Sequence, residues 1–217
     1  MSDMLDCNDL STRPMAIATA TRAVQSGGLV VLPTDTLYGI GADAFNSEAV
    51  TSLLAAKGRG RDMPVPVLVG SWSTIDGLVG HVPGVMRDLI EAFWPGGLTL
   101  VVEHAPSLAW DLGDARGTVA IRMPLHPIAL DLLTQTGPMA VSSANVHSRP
   151  PAVTAQQAYE QLGESVSVYL DGGEVPLGQP STIVDLTAAT PTVLREGAIS
   201  VAALRDVVPG VQGRVVG

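Results

Sequence analysis

Short apolar runs, each bounded by glycine or proline and alternating with helix-like segments, recur along the whole chain and constrain its fold more than any other feature. Runs of this length suit strands and are far too short to cross a bilayer. Strands are expected at Leu29–Leu32, Val65–Val69, Leu98–Glu103, Val119–Arg122, Met139–Ser142, Val166–Leu170, Thr182–Leu186 and Val193–Arg195. Helical periodicity falls on Pro14–Gln25, Ser47–Ala56, Ser73–Val79, Gly84–Phe93, Pro127–Gln135, Thr154–Leu162 and Val201–Val207. Thr154 and Gln157 have capping-box spacing, and Ser47 and Ser200 are expected N-caps. Several strands follow one another with no helix between them, which argues against a clean doubly wound sheet. The pattern predicts an α/β chain: a twisted mixed sheet with helices packed on it. With no repeat and no long polar linker, residues 14–203 read as one domain, and 1–13 and 204–217 as terminal extensions.

Composition supplies the exclusions. Hydrophobic residues make up 46% and charged residues 15% of the 217, enough for a sizeable core and too little charge for wholesale disorder. The net charge of −9 is a poor overall match to nucleic acid. Cys7 is the single cysteine, so neither a disulfide framework nor a multi-cysteine metal site can form. Asp3, Asp6 and Asp9 near the start are unlike a secretory signal, and a cytoplasmic protein is expected. Of the 12 cationic residues, only Lys57 is a lysine. Arginine-biased composition is one explanation; a need for a compact ammonium, which a planar guanidinium cannot imitate, is the other.

Ligands of α/β sheets bind where strands run out into loops, so polar residues at strand ends are informative. Pro33-Thr34-Asp35-Thr36 leaves the first strand; if extended, it puts both threonines on one face and Asp35 on the other, and an ST-turn is the bland alternative. Lys57-Gly58-Arg59-Gly60-Arg61 alternates cations with glycines, which suits a polyanion, although the spacing of a P-loop is absent. Trp94-Pro95-Gly96-Gly97 reads as a turn with Trp94 packed beneath it. Thr118 opens and Arg122 ends another strand. Ser143-Ala144-Asn145 lacks a nucleophile elbow and reads as a binding element. Ser181-Thr182 and Arg195-Glu196-Gly197 add hydroxyls and one more strand-end arginine. His81, His104, His126 and His147 lack metal-ligand spacing and are assigned to the surface or loops.

In this order the motifs resemble the YrdC/Sua5 family, the threonylcarbamoyl-AMP synthases, in its short single-domain form. The resemblance implies a YrdC-like fold around a cationic cavity. It implies synthesis of threonylcarbamoyl-AMP and pyrophosphate from L-threonine, bicarbonate and ATP with Mg²⁺, for N6-threonylcarbamoylation of adenosine 37 in tRNAs reading ANN codons. By motif position, Thr36, Arg122 and Ser181 would contact threonine. Lys57, Arg59, Thr118, Ser143, Asn145 and Arg195 would contact ATP, with Lys57 and Arg59 catalytic. The partners it implies are tRNA or double-stranded RNA and a downstream threonylcarbamoyl transferase. Three positions depart from the family pattern: Leu68 stands where many relatives carry histidine, Gly60 where proline follows the Lys-Gly-Arg triplet, and Ser148-Arg149 where the family has Ser-Gly. Two other readings compete: a double-stranded-RNA-binding or ribosome-assembly protein without catalysis, and a carbamoyl-transfer module of the hydrogenase-maturation type.

Overall fold

The structure, a computed structural model, describes residues 2–213. The terminal-extension readings for residues 1 and 214–217 lie outside the described residues. In chain order the elements are β1 (Asp3–Asp6), α1 (Arg13–Gln25), β2 (Val30–Leu32), β3 (Gly39–Asp43), α2 (Ser47–Lys57), β4 (Val67–Leu68), α3 (Ile75–Leu78), α4 (Gly84–Phe93) and β5 (Leu98–Glu103). They continue with β6 (Thr118–Arg122), α5 (Pro127–Thr136), β7 (Met139–Ser143), α6 (Ala155–Leu162), β8 (Val168–Asp171), β9 (Thr182–Asp185), β10 (Thr192–Arg195) and α7 (Val201–Val207). All the strands join one mixed sheet in the order β1-β8-β2-β3-β7-β4-β6-β5-β9-β10.

The period-2 alternation of each strand sorts its side chains onto two faces. On one face, Val31, Ile40, Val67, Leu100, Ile121, Ala140 and Val184 pack with α2, α4, α6 and α7 into the larger core. Fully buried Leu53, Leu89 and Ile121 each contribute about 1.5–3 kcal/mol by leaving water. On the opposite face, α1 and α5 pack on Val30, Leu32, Leu68, Met139, Val141, Val168 and Leu170. These two helices cover only that half of the sheet, and β6, β5 and β9 present Ala120, Val101 and Ile183 to a cavity instead.

Several boundaries differ from expectation. Asp3–Asp6, assigned to a terminal extension, forms β1 and pairs in parallel with β8. Thr182–Leu186 shortens at its end, and Gly39–Asp43, outside the strands expected from sequence, is a strand between β2 and β7. Glycine lowers strand propensity, but Gly39 leaves room that a side chain would not: an added Cβ would sit 2.6 Å from Cγ1 of the β-branched Val141. Asn46, not Ser47, caps α2, its side chain accepting from the Glu48 and Ala49 N–H groups. Thr154 and Ser200 do cap α6 and α7, and Trp94 is buried with its Nε1 donating to the Leu98 carbonyl at 2.7 Å.

The loop after β10 is pinned by the fully buried Thr182, whose Oγ1 donates to the Ile199 carbonyl and accepts from Gly197 and Ile199 N–H groups. A Cβ on Gly197 would lie 2.2 Å from the Pro180 carbonyl oxygen and 2.9 Å from Ser181 carbon, both backbone atoms. Gly197→Ala is therefore expected to cost about 1–3 kcal/mol, and a thermal melt of the variant will show a lowered Tm.

Candidate active site

The uncovered half of the sheet is the floor of a cavity of about 590 Å³. Register explains how it is lined. Thr118, Ala120 and Arg122 alternate along β6; Ala120 lies opposite Val101 of β5, and Leu68 of β4 opposite Arg122. Pro66, Ala120, Val101 and Val141 make an apolar centre, with polar residues gathered at both ends. A bulge in β10 between Val193 and Arg195 turns both Leu194 and Arg195 into the cavity, where strict alternation would have admitted one of them.

At one end the guanidinium of Arg122 is buried and held on three sides. Its Nε donates to the Gly96 carbonyl at 2.8 Å, Nη1 to Thr36 Oγ1 at 2.8 Å and Nη2 to Asp35 Oδ1 at 2.6 Å. Residues 34–37 do not stay extended. They form an ST-turn in which Thr34 Oγ1 donates to the Leu37 carbonyl and accepts from the Thr36 and Leu37 N–H groups. That turn, the reading this stretch favours on its own, brings Asp35 to Arg122; the extended alternative would have set Asp35 on the opposite face. The single proton of Thr34 is committed to Leu37, so the 3.0 Å contact between the two hydroxyls is a donation from Thr36. Thr36 then offers a ligand a lone pair. Beside it, Thr99 and Ser181 share one bond at 2.8 Å and have two protons between them, leaving one O–H to offer.

Around the rest of the cavity, Arg59 donates to Ser142 Oγ at 3.1 Å and Pro64 O at 3.4 Å, while its Nε is buried with no partner among the described residues. Arg195 donates to the Ser181 carbonyl from Nε and Nη2, at 3.1 and 2.8 Å. Burial lowers the pKa of all three arginines, and Arg122 lowers that of Arg195 further, so cations crowd this cavity. Thr118 donates to Ala115 O at 2.7 Å. Of the residues singled out from sequence, Thr36, Arg59, Thr118, Arg122, Ser143, Ser181 and Arg195 line the one cavity.

Lys57 and Asn145 do not line it. Gly58, at φ 60°, ends α2 and lets the Arg59 N–H return to Leu54 O, so Arg59 swings toward the cavity while Lys57 stays in the last helical turn. Lys57 is 2% exposed. Its ammonium donates to the Ser143 carbonyl, to Asn145 O at 2.7 Å and to Asn145 Oδ1 at 3.4 Å. Asn145 Nδ2 donates in turn to Val146 O and Arg149 O. The two residues lace together the loop that follows β7 and present Ser143. His126, expected at the surface or in a loop, caps no group at the start of α5 and buries an unpartnered Nδ1. Sequence reasoning missed Asp35 as a partner of Arg122, for which the Pro-Thr-Asp-Thr run was the available signal, and Thr99 as a lining hydroxyl; Thr34, singled out with Thr36 as a ligand-facing hydroxyl, does line the cavity.

No carboxylate, imidazole or thiol is among the lining residues, and no cluster of His, Cys, Asp and Glu among the described residues suits a metal ion. The chain's own donors therefore do not fit a resident Mg²⁺. An ion arriving with a nucleotide would keep phosphate oxygens and water as ligands. No helix of the described residues is long and apolar enough to cross a membrane.

Asn145→Ala removes two donations and one acceptance inside the loop. The expected cost is about 1–3 kcal/mol, read by denaturant unfolding, with faster hydrogen exchange confined to the loop after β7.

Residues 22–197 match the Sua5/YciO/YrdC family model, described as telomere recombination. A Mycobacterium tuberculosis (strain H37Rv) protein, provisionally named a threonylcarbamoyl-AMP synthase, is 60% identical over 207 residues, covering 95% of each chain. The threonylcarbamoyl-AMP synthase of Bacillus subtilis (strain 168) is 36% identical over 195 residues, which are 89% of this chain and 56% of the relative. The solved structure of P. abyssi Sua5 complexed with L-threonine superposes with a TM-score of 0.91 at 31% identity, covering 99% of this chain and 62% of that one. The fold, the cavity and these similarities agree, and the chain belongs to the Sua5/YciO/YrdC family.

Proposed function

We infer that this chain is a threonylcarbamoyl-AMP synthase, acting on L-threonine, bicarbonate and ATP to make threonylcarbamoyl-AMP and pyrophosphate. The observation that carries the reading is the single cavity into which Arg59, Arg122 and Arg195 converge with the hydroxyls of Thr36, Ser143 and Ser181. The threonine amine adds to bicarbonate with loss of water, giving a carbamate. A carbamate oxygen then attacks the α-phosphorus of ATP, and the bond to the β,γ-pyrophosphate breaks. Negative charge builds on the transferring and leaving phosphates, so catalysis rests on positioning and on cations already in place. That suits a cavity lined by arginines and alcohols with no side-chain nucleophile and no carboxylate.

Site roles follow the chemistry of each end. Arg122, Thr36 and Ser181 take threonine: two N–H groups of Arg122 remain for a carboxylate, and Thr36 offers its lone pair to the amine. Arg59, with an unused Nε, and Arg195 take the phosphates, with Ser143 and Thr118 beside them. Lys57 and Asn145 act through Ser143 as positioning residues, while Arg59 is the catalytic cation. Leu68, next to Arg122 in register, gives threonine an apolar wall where many relatives place a histidine. Mg²⁺ arriving with ATP would neutralise charge on its phosphates, held by phosphate oxygens and water. The product serves N6-threonylcarbamoylation of adenosine 37 of tRNA in the cytoplasm, through a transferase that receives it. The RNA-binding alternative has no observation in its favour: the converging cations line a cavity of small-molecule size, not an exposed strip fit for a phosphate backbone.

Pyrophosphate release should require ATP, threonine and bicarbonate together. Omitting each in turn tests this, and ATP turnover indifferent to threonine would overturn the reading.

A pH profile tests the role given to Lys57. Burial, with Arg59 second, pulls its ammonium down to about 8 from 10.5. As pH rises through about 8 the group loses a proton and with it a hydrogen bond to the loop, so kcat/KM is expected to fall. Stability should move the other way. Between about 8 and 10.5 the unfolded chain binds the proton that the folded chain has lost, so this group's contribution to ΔG of unfolding grows with pH. Rate and melting temperature measured from about pH 8 to 9, below the range in which burial holds protons on Cys7, Tyr38 and Tyr169 that the unfolded chain gives up, should diverge; a joint fall there would reject the assignment.

A further inference from the structure

The three cavity arginines are not equivalent. Arg122 has a carboxylate at 2.6 Å, and both side chains of that pair are nearly out of solvent, 7% exposed for Arg122 and 8% for Asp35. Among the described residues no ion pair involves Arg59 or Arg195, and Asp62 acts on Arg59 only at longer range. Asp35 Oδ1 also accepts from the Leu125 N–H at 2.9 Å, which anchors the carboxylate from the segment following β6. Arg122 is therefore neutralised by its own carboxylate, while Arg59 and its neighbour Arg195 keep their full charge, although the same residue type stands at all three places.

We propose that Asp35 is a specificity-determining residue: by neutralising Arg122 it makes that end of the cavity a site for a zwitterionic amino acid and bars phosphate from it. This inference rests on the threonylcarbamoyl-AMP synthase reading. The physical case is one of competition. A guanidinium binds carboxylate and phosphate through the same fork, and a polyphosphate carries more charge than an α-carboxylate. An unpaired Arg122 beside Arg195 would form a second phosphate site, and ATP or the departing pyrophosphate would occupy the place threonine needs. The paired carboxylate, itself nearly out of solvent, penalises a polyanion at that end. An amino acid brings one positive and one negative group and suffers little, because its nitrogen faces Thr36 and its carboxylate the two free N–H groups of Arg122. Asp35 touches neither the reacting atoms nor, in this role, the substrate. It acts through Arg122.

The test uses the full-length chain and its isosteric variant Asp35→Asn, with L-threonine and inorganic pyrophosphate as probes in titration calorimetry. In the wild-type protein, threonine should bind with an affinity that saturating pyrophosphate changes by no more than about twofold. In Asp35→Asn, pyrophosphate should now displace threonine, weakening its apparent affinity by roughly tenfold or more at saturating pyrophosphate. Asp35→Glu, which restores the charge, should return the wild-type lack of competition. No competition by pyrophosphate in Asp35→Asn would overturn the proposal. So would displacement of threonine by pyrophosphate from the wild-type protein, a result that stands even if the variants fail to fold. Failure of the wild-type protein to bind threonine at all would instead strike the functional reading beneath it.

Discussion

The buried guanidinium of Arg122 holds the working half of this molecule in one piece. It draws together the turn before β5 through Gly96, the ST-turn after β2 through Asp35 and Thr36, and its own strand β6, while Asp35 reaches on to Leu125 in the segment leading to α5. Apart from β6, each of those segments is a loop and would otherwise be among the least constrained parts of the chain. An ion pair this deep gives little net stability, because the Coulomb attraction mainly repays desolvation. What it does provide is a fixed geometry. Remove either charge and the other stays buried without its counter-charge.

A second constraint is the half-covered sheet. Had α1 and α5 been longer, or had another helix followed β9, the face bearing Ala120 and Val101 would have been filled with core. Instead the chain passes from β9 to β10 with no helix between them and closes that side with a bulged edge strand, which places Leu194 and Arg195 at the rim. The cavity is a consequence of connection order as much as of the residues that line it.

Much of this was legible in the sequence, and the failures have physical causes. The α/β class, the mixed sheet and most helices follow from periodicity, and the motif order identified a family whose model matches residues 22–197. Strand β4 extends over only two residues of the run Val65–Val69: the Val65 N–H bonds Leu112 O outside the ladder, while the Val69 N–H still reaches Arg122 O of β6. Asp3–Asp6 has the charge of a frayed end, yet pairs as an edge strand, where charges are tolerated. Lys57 and Arg59 looked like a pair on account of spacing alone. The left-handed cap at Gly58 sends them to different neighbours, and no residue pattern announces which one keeps the ligand. Asp35 was missed as a partner for a related reason: two-residue alternation holds only while a chain stays extended, and a hydroxyl two or three positions back can bend it first.

The sorting of side chains by sheet face has a consequence for how such a chain can change over generations. Along β6, Val119 and Ile121 belong to the larger core, whereas Thr118, Ala120 and Arg122 see the ligand cavity; Leu100 and Val101 of β5 divide the same way. Substitutions at one parity can remodel what is bound while leaving the packed side untouched. A departure such as Leu68, which sits on the shared boundary between cavity and helices, has no such freedom, since it must satisfy a small molecule and the α1–α5 layer at once.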